Sequence, residues 1–272
     1  MLKSSDWRRG IEEIRSLGVV NAAKLIVYTL RQRYQLALAH RFDRRFNVDT
    51  AGKQALKDFT IREGDRETGH RYEGMYFGMA PHLWSLLPPD KSSFTFVDFG
   101  AGKGSAMLMA AELGFRRIVG VEFAEELYRQ MQANLRAYRN PRQRCFDLSA
   151  VCADAATFDI PDGDCVLFFF NPFDRPVMQK VADNIEASWQ RDPRRILIMF
   201  YNPTDRSGAR DILERMPSFH RSPARIRSLR FRLLSPFDLV LYESDPAPAT
   251  QRRSRAAQHQ PSPDHRYRVA AP

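Results

Sequence analysis

The sequence predicts an α/β protein in which a mostly parallel β-sheet lies between two layers of helices. Apolar runs that suit strands alternate with patterns that suit helices between residues 94 and 201. The run at residues 165–170 is unbroken and apolar, as in parallel strands that are buried on both faces. A glycine-rich turn follows the first apolar run at once, so strand, turn and helix come in the order of a β-α-β unit.

That first β-α-β unit spans residues 95–122. Its opening strand leads into Gly100, Gly102 and Gly104, which permit a tight turn and let the backbone approach a ligand with no Cβ in the way. Residues 106–113 read as a helix whose N-terminal amides point back towards the glycines. The second strand ends in Glu122, where an acid can accept hydrogen bonds from two ribose hydroxyls. The unit therefore predicts a nucleotide site.

The glycine spacing separates two classes of nucleotide cofactor. A dinucleotide fingerprint requires a third small residue at position 105, where this chain has Ser105. The observed pattern, with Glu122 downstream, resembles the first two cofactor motifs of the class I S-adenosylmethionine-dependent methyltransferases. The resemblance implies that Glu122 holds the ribose and that the turn passes under the methionine half of S-adenosylmethionine, with an acid that steadies the turn and the amino group. The implied turn residues are Asp98, Gly100, Ala101, Gly102 and Gly104. A purely structural glycine turn, common in α/β folds, stays the alternative.

A third strand is predicted at residues 148–153, followed by Asp154 and Ala155. In the family that the chain resembles, an acid in this loop accepts a hydrogen bond from the adenine amino group. The resemblance therefore implies that Asp154 and Ala155 contact the cofactor. The alternative is an aspartate that caps the next turn.

The predicted strand at residues 165–170 ends in Asn171-Pro172-Phe173-Asp174. This resembles the Asn-Pro-Pro-aromatic motif of nitrogen-directed methyltransferases, and it implies that Asn171 holds the acceptor nitrogen. We expect Pro172 to restrict Asn171 to extended backbone. The chain departs from the motif at Phe173 and Asp174, which leaves the acceptor atom open. Asp174 is a candidate proton acceptor or partner for a cationic substrate, and alternatively a helix cap.

The N-terminal region, residues 1–90, is predicted to be a helical extension and lid. Residues 7–40 read as helix, divided near Gly18, with an apolar stripe that we expect to pack on the core; docking on a membrane or partner is the alternative. In the class I methyltransferases that the chain resembles, the segment before the first strand commonly folds over the cofactor and acceptor pocket, which implies that Tyr72 and Glu73 are candidates for a lid contact or an acceptor contact. The alternative is half-buried packing for Tyr72 and a surface charge for Glu73. The order of these features loosely resembles the non-SET histone-lysine methyltransferases.

Residues 91–244 are predicted to form the methyltransferase domain. A helix at residues 177–189, a strand at 195–201 and a helix at 209–216 precede two strand-like runs, 219–226 and 231–242, that could form a closing antiparallel hairpin. The resemblance implies a Rossmann-like sheet whose last strand is reversed. Residues 245–272 are rich in Pro, Ala, Gln, Ser and Arg, which predicts a disordered basic tail.

The net charge of +10 is concentrated at the two ends of the chain. Residues 1–50 hold ten Lys or Arg against five Asp or Glu, and residues 246–272 hold five Arg against one Asp. These ends are ordinarily solvated, but they could contact nucleic acid or an anionic membrane surface. Three cysteines without a CxxC pair favour a cytoplasmic protein, the histidine spacing predicts no metal site, and no run is long enough to span a membrane.

The leading hypothesis is an S-adenosylmethionine-dependent methyltransferase that acts on a nitrogen of a protein, a nucleic acid or a small molecule. A non-catalytic module on the same fold, which binds nucleic acid or a membrane through its basic ends, is the second hypothesis. A nicotinamide oxidoreductase is the third, and both Ser105 and the Asn171-Pro172-Phe173 sequence speak against it.

Overall fold

The structure is a computed structural model that describes residues 4–54 and 72–245, without the side chains of residues 4–20, 22, 53 and 54. The predicted tail lies outside the described residues apart from Asp245. Lys53–Gln54 and Tyr72–Glu73 form two short strands that pair antiparallel in a sheet of their own. The helices are α1 Ser4–Phe46, α2 Ala80–Trp84, α3 Ser105–Ala110 with a 3₁₀ turn Ala111–Leu113, α4 Glu125–Ala137, α5 Arg175–Arg191, α6 Ala209–Glu214 and α7 Leu229–Leu234. The strands are β1 Lys53–Gln54, β2 Tyr72–Glu73, β3 Thr95–Phe99, β4 Arg117–Glu122, β5 Leu148–Cys152, β6 Cys165–Phe170, β7 Ile196–Tyr201, β8 Phe219–Arg221 and β9 Leu239–Ser244.

The main sheet of the described chain has seven strands in the order β5-β4-β3-β6-β7-β9-β8. The first five of these pair in parallel, and β9 runs antiparallel to both β7 and β8. The last strand in the chain is therefore the reversed one, inserted beside the edge strand. This confirms the predicted fold class, the Rossmann-like sheet of class I methyltransferases.

Alternating side chains of the central strands fill two separate cores, one on each face of the sheet. Phe96 and Phe168 belong to one buried cluster, whereas their neighbours Val97 and Leu167 belong to the other. This alternation follows from the two-residue period of a strand. It explains why β6 is apolar at every position, because helices cover both faces of the sheet.

The chain leaves β3 towards β4 on one side and later returns to β6 on the other side. Ligands of open α/β sheets bind at such a switch point, beyond the carboxyl ends of the strands. The turn after β3 and the segment after β6 meet there, because a Cβ built on Gly100 would lie 2.4 Å from the Cβ of Pro172. The sheet order thus brings the two motifs that the sequence singled out into contact.

The N-terminal helix differs from its prediction in two respects. Helix α1 is continuous over 43 residues and is not divided near Gly18. Its second half packs on the core through Gln35, Ala39 and Phe46, but the described members of the predicted apolar stripe, Ala23, Ile26 and Leu30, are exposed. The expectation that this stripe packs on the core was wrong for these three residues, because the first buried residue among the described side chains of α1 is Gln35.

The predicted closing hairpin is also wrong in part. Strand β8 stops at Arg221, and Leu229–Leu234 is a helix where a strand was predicted from residue 231. The Oγ of Ser228 accepts a hydrogen bond from the backbone N of Phe231 and caps this helix. An N-capping serine before a Leu- and Arg-rich run favours helix, and the apolar content of that run had suggested a strand.

Within the described residues, no helix combines the length and the apolar character that crossing a bilayer requires.

Candidate cofactor and acceptor site

The turn after β3 needs glycine at three positions. Gly100, Gly102 and Gly104 have φ of +70°, +56° and +83°, a region that side chains with a Cβ rarely adopt. The backbone N of Gly100 and of Ala101 both donate to the carbonyl oxygen of Val121, at 2.9 and 3.0 Å. These bonds hold the turn against the end of β4, next to Glu122.

The ring of Tyr72 covers Gly102. A Cβ built on Gly102 would lie 2.3 Å from Cε2 of Tyr72, and the Tyr72 hydroxyl donates to the carbonyl oxygen of Thr50 at 2.6 Å. Tyr72 is buried, so it contributes the packing that the sequence left as an alternative, and it also lines the cavity described below. The space above Gly102 is filled by the protein itself, which leaves Gly100 as the turn glycine that faces the cavity.

We expect Gly102→Ala to lower the free energy of unfolding by about 2–4 kcal/mol, because backbone strain adds to the collision with Tyr72. Gly163→Ala is the matched control, since Gly163 also has a positive φ of +80° but meets only Arg116 Nη2 at 3.7 Å. The control should lose only about 1 kcal/mol. Urea titration measures both values, and equal losses would contradict the packing of Tyr72 on Gly102.

A second set of contacts fastens the N-terminal region to the same turn. The Nζ of Lys103 forms an ion pair with Asp49 at 3.0 Å, and it is buried while Asp49 is exposed. The side-chain amide of Asn134, which is buried on α4, donates both to the carbonyl oxygen of Asp49 at 2.7 Å and to that of Lys103 at 2.9 Å. The segment after α1, to which Tyr72 is bonded through the carbonyl oxygen of Thr50, is therefore fastened to the turn by specific hydrogen bonds. Sequence reasoning missed Lys103 and Asn134, because their partners are distant in the chain.

Glu122 lies at the end of β4 with its carboxylate turned back on the turn. Its Oε2 accepts from the backbone N of Gly102 at 2.8 Å, and its Oε1 accepts from that of Ala124 at 2.9 Å. Burial raises the pKa of Glu122 to about 6, and the backbone amide donors oppose that rise. Each carboxylate oxygen has a second lone pair, so Glu122 can also accept hydrogen bonds from a ligand.

Asp98 lies one residue before the end of β3 and is almost entirely buried. Burial, together with the negative charge of Glu122, raises the pKa of Asp98 to about 8. Two acids are thus held close together beneath the turn, with one of them protonated at neutral pH.

The segment after β6 has a backbone geometry that differs from the expectation. Asn171 has a φ of +45°, so it is left-handed and not extended as Pro172 had suggested. The hydroxyl of Thr204 donates to Oδ1 of Asn171 at 3.1 Å and so orients its side chain. Asparagine tolerates this region better than most residues, and packing of Pro172 on Gly100 holds the segment in place.

The two residues that depart from the nitrogen-directed motif have different surroundings. Phe173 is buried in the core cluster around Phe169 and also lines the cavity. Asp174 is the N-cap residue of α5, where its Oδ2 accepts from Nη2 of Arg206 at 2.6 Å. Asp174 thus pairs with an arginine of the protein itself, and its role towards a substrate stays a prediction.

Asp154 adopts the capping geometry that was the alternative prediction. Its Oδ1 accepts from the backbone N of Ala156 at 2.9 Å, and Ala155 is buried. Asp154 and Ala155 are not among the described residues that line the cavity presented in the next paragraph. Their contact with an adenine therefore stays a prediction.

One cavity of about 490 Å³ joins the two motifs. One end is formed by the turn and the end of β4, and the other by the segment after β6 and by aromatic side chains. The lining residues are Tyr28, Tyr72, Glu73, Gly100, Glu122, Phe123, Ala124, Leu127, Phe170, Asn171, Pro172, Phe173, Asn202, Arg206 and Phe237.

Sequence reasoning missed Asn202, Arg206 and Phe237. For Asn202 a signal was present, because Asn202-Pro203 follows β7 as Asn171-Pro172 follows the neighbouring strand β6. The strand ends are in register, with Phe170 opposite Tyr201, and Asn202 is left-handed too, with a φ of +61°. Two Asn-Pro pairs at the ends of adjacent parallel strands mark the same edge of the sheet.

No protein-family model and no curated protein matches this sequence. Solved structures that are similar to the chain include precorrin-6y C5,15-methyltransferase from Geobacter metallireducens, with 14% identity, 70% of this chain and 94% of that chain covered, and a TM-score of 0.44. A magnesium protoporphyrin IX methyltransferase from Synechocystis with bound S-adenosylmethionine has 15% identity over 62% of this chain and 77% of its own, with a TM-score of 0.41. An RNA methyltransferase from Salinibacter ruber in complex with S-adenosyl-L-homocysteine has 14% identity, with 64% of this chain and 96% of that chain covered and a TM-score of 0.42.

Proposed function

We propose that the protein is an S-adenosylmethionine-dependent methyltransferase that acts on a nitrogen atom. The observation that carries the proposal is the single cavity that joins Gly100 and Glu122 at one end to Asn171 and Phe173 at the other. A methyl transfer requires donor and acceptor side by side in one site from which water is excluded. The cavity volume also lies in the range of about 300–1,000 Å³ that is usual for small-molecule sites.

The residues at the first end fit the cofactor. Glu122 keeps acceptor capacity for a ribose hydroxyl, Phe123 offers an apolar wall next to it, and Gly100 leaves the turn backbone accessible. S-adenosylmethionine would supply an activated methyl group on its sulfonium, so the protein needs no nucleophile of its own. The chain contributes binding, orientation and removal of water.

The residues at the second end fit an amine. Phe170 and Phe237 have ring centroids 5.7 Å apart and line the cavity together with Tyr28. Aromatic faces attract cationic ligands, and the Glu73 carboxylate lies in the same wall, where it accepts from the Tyr76 hydroxyl at 3.1 Å. A charged amine must lose a proton before it can accept a methyl group, and we assign Glu73, which lines the same cavity, the role of receiving it. Asn171, oriented by Thr204, would hold the nitrogen.

Calorimetric titration with S-adenosylmethionine tests the cofactor, with NAD and NADP titrated in parallel. We expect S-adenosylmethionine to bind and Glu122→Ala to weaken that binding by about 1.5–3 kcal/mol, the usual worth of hydrogen bonds to a charged group. Glu112→Ala is the matched control, because Glu112 is a partly buried glutamate that pairs with Arg142 outside this cavity. Thermal unfolding of each variant confirms that it is folded. Binding of NAD without binding of S-adenosylmethionine would refute the proposal.

A further inference from the structure

Helices α1 and α7 expose large aliphatic side chains to solvent. The exposed fractions are 54% for Ile26, 60% for Leu30, 65% for Leu229 and 56% for Leu233. Ile26 and Leu30 are one helical turn apart on α1, as are Leu229 and Leu233 on α7, so each pair lies on one side of its helix. Contiguous exposed apolar side chains of this size mark a surface that meets a partner or a membrane.

The two helices lie next to each other. Nη2 of Arg230 on α7 donates to the hydroxyl of Tyr34 on α1 at 2.9 Å. Tyr34 comes one turn after Leu30, and Arg230 directly follows Leu229. We call the residues Ile26, Leu30, Tyr34, Leu229 and Leu233 the α1–α7 surface.

The two segments that carry the α1–α7 surface are rich in positive charge. Residues 216–237, which include α7, contain five arginines and no acidic residue. On α1, residues 21–46 contain six Lys or Arg and one acid, Asp43. Asp43 is buried and accepts hydrogen bonds from Thr50 and Ala51, so its charge is turned away from solvent. The partner of this surface must therefore be both apolar and anionic.

A membrane with anionic lipids has that chemistry, and the other candidates do not. A second copy of the chain would bring the same arginines together and repel. Single-stranded nucleic acid is bound through aromatic side chains on which bases stack, whereas this surface is mostly aliphatic. Aliphatic side chains bury well at the boundary of headgroups and acyl chains, while arginines beside them reach the lipid phosphates.

We propose that the α1–α7 surface binds the protein to an anionic membrane surface. Tyr28 of α1 and Phe237, three residues after α7, both line the cavity described above, so docking would place the acceptor end of the cavity beside the lipid. The proposal needs no methyl-transfer activity and can be tested whatever the cavity binds.

Cosedimentation with lipid vesicles tests the proposal on the full chain. We expect binding to vesicles of phosphatidylcholine mixed with phosphatidylglycerol, little binding to phosphatidylcholine alone, and weaker binding as the salt concentration rises. Replacing both exposed leucines, Leu229→Ser with Leu233→Ser, should lower the partition coefficient at least about tenfold. Arg232→Gln should lower it roughly fivefold.

Two variants elsewhere on the protein serve as matched controls. Phe146→Ser removes a large apolar side chain that is 78% exposed just before β5, at the opposite edge of the sheet, and Arg136→Gln removes an exposed positive charge from α4. Neither should change vesicle binding. Circular dichroism of every variant shows whether it is folded, and all the replaced side chains are exposed.

Three results would overturn the proposal. The first is equal binding to both kinds of vesicle or to neither. The second is a concentration-dependent dimer in analytical ultracentrifugation that the leucine variant abolishes while vesicle binding stays. The third is binding of single-stranded RNA that weakens in Arg232→Gln, together with vesicle binding that the leucine variant leaves unchanged.

Discussion

Replacing Asn171 with glycine is expected to lower the rate of methyl transfer at least about 100-fold, since a misplaced acceptor costs roughly that factor, while the affinity for S-adenosylmethionine stays within about twofold. Glycine is the informative replacement because Asn171 has a φ of +45°, which glycine adopts without strain. The side chain is then removed while the backbone conformation is kept. Turnover is measured with a methyl-labelled donor, once acceptors have been screened with the unchanged protein.

Two further variants separate the role of the Asn171 side chain from the backbone. Asn47→Gly is the matched control, because Asn47 also has a positive φ, of +54°, and lies at the end of α1 outside the cavity lining. It should leave turnover unchanged. Thr204→Val removes the hydroxyl that orients the Asn171 side chain and should give an intermediate loss. Full turnover in Asn171→Gly would disprove the assignment of the acceptor end.

The second large effect is on stability and depends on pH. The pKa of Asp98 is about 8 and that of Glu122 about 6, against ordinary values of 3.8 and 4.5. At pH values between the ordinary pKa and the raised pKa of each group, the folded chain binds more protons than the unfolded chain. The contribution of these groups to the free energy of unfolding therefore falls as the pH rises. Below pH about 4 both groups are protonated in both states, and above pH about 8 the loss levels off. Asp98 alone should contribute a slope of about 1 kcal/mol per pH unit.

Asp98→Asn removes the titrating group and keeps the size of the side chain. We expect urea titrations at a series of pH values to show that this variant gains stability relative to the unchanged protein as the pH rises from about 4 to about 8. Asp154→Asn is the control, because Asp154 is only partly buried and caps an outer loop. A constant difference between Asp98→Asn and the unchanged protein over this range would contradict a protonated Asp98.

Local patterns in the sequence were sufficient for the main elements of the fold. The apolar runs that become β3, β6 and β7 are long enough to mark buried strands, and Gly100 to Gly104 specify a left-handed turn because only glycine adopts it freely. Those signals are contained in a few consecutive residues. They predicted the parallel sheet and a motif at the carboxyl end of each of two strands, whereas the reversed last strand was implied by the family resemblance and the contact between the two motifs was not predicted.

The errors and omissions arise where the answer depends on residues that are far apart in the chain. The exposure of Ile26 and Leu30 could not be read from their spacing, because the same stripe would suit a helix packed on the core. The helix at Leu229–Leu234 is an exception, because its signal is local: the Ser228 cap, three residues before Phe231, was stronger than the apolar pattern that had suggested a strand.

By itself, then, the sequence determined the α/β class, the order of the strands along the chain and the two motifs at their carboxyl ends. It could do so because the spacing of apolar residues and the backbone conformations open to glycine are set within a few consecutive residues. The tertiary structure alone decided that Tyr72 covers Gly102, that Arg206 pairs with Asp174 and that α7 lies beside α1. Each of these contacts joins residues at least 30 positions apart. Such pairs are chosen by the packing of the folded chain, since side-chain hydrogen bonds and ring contacts form only between groups that the sheet has already brought together.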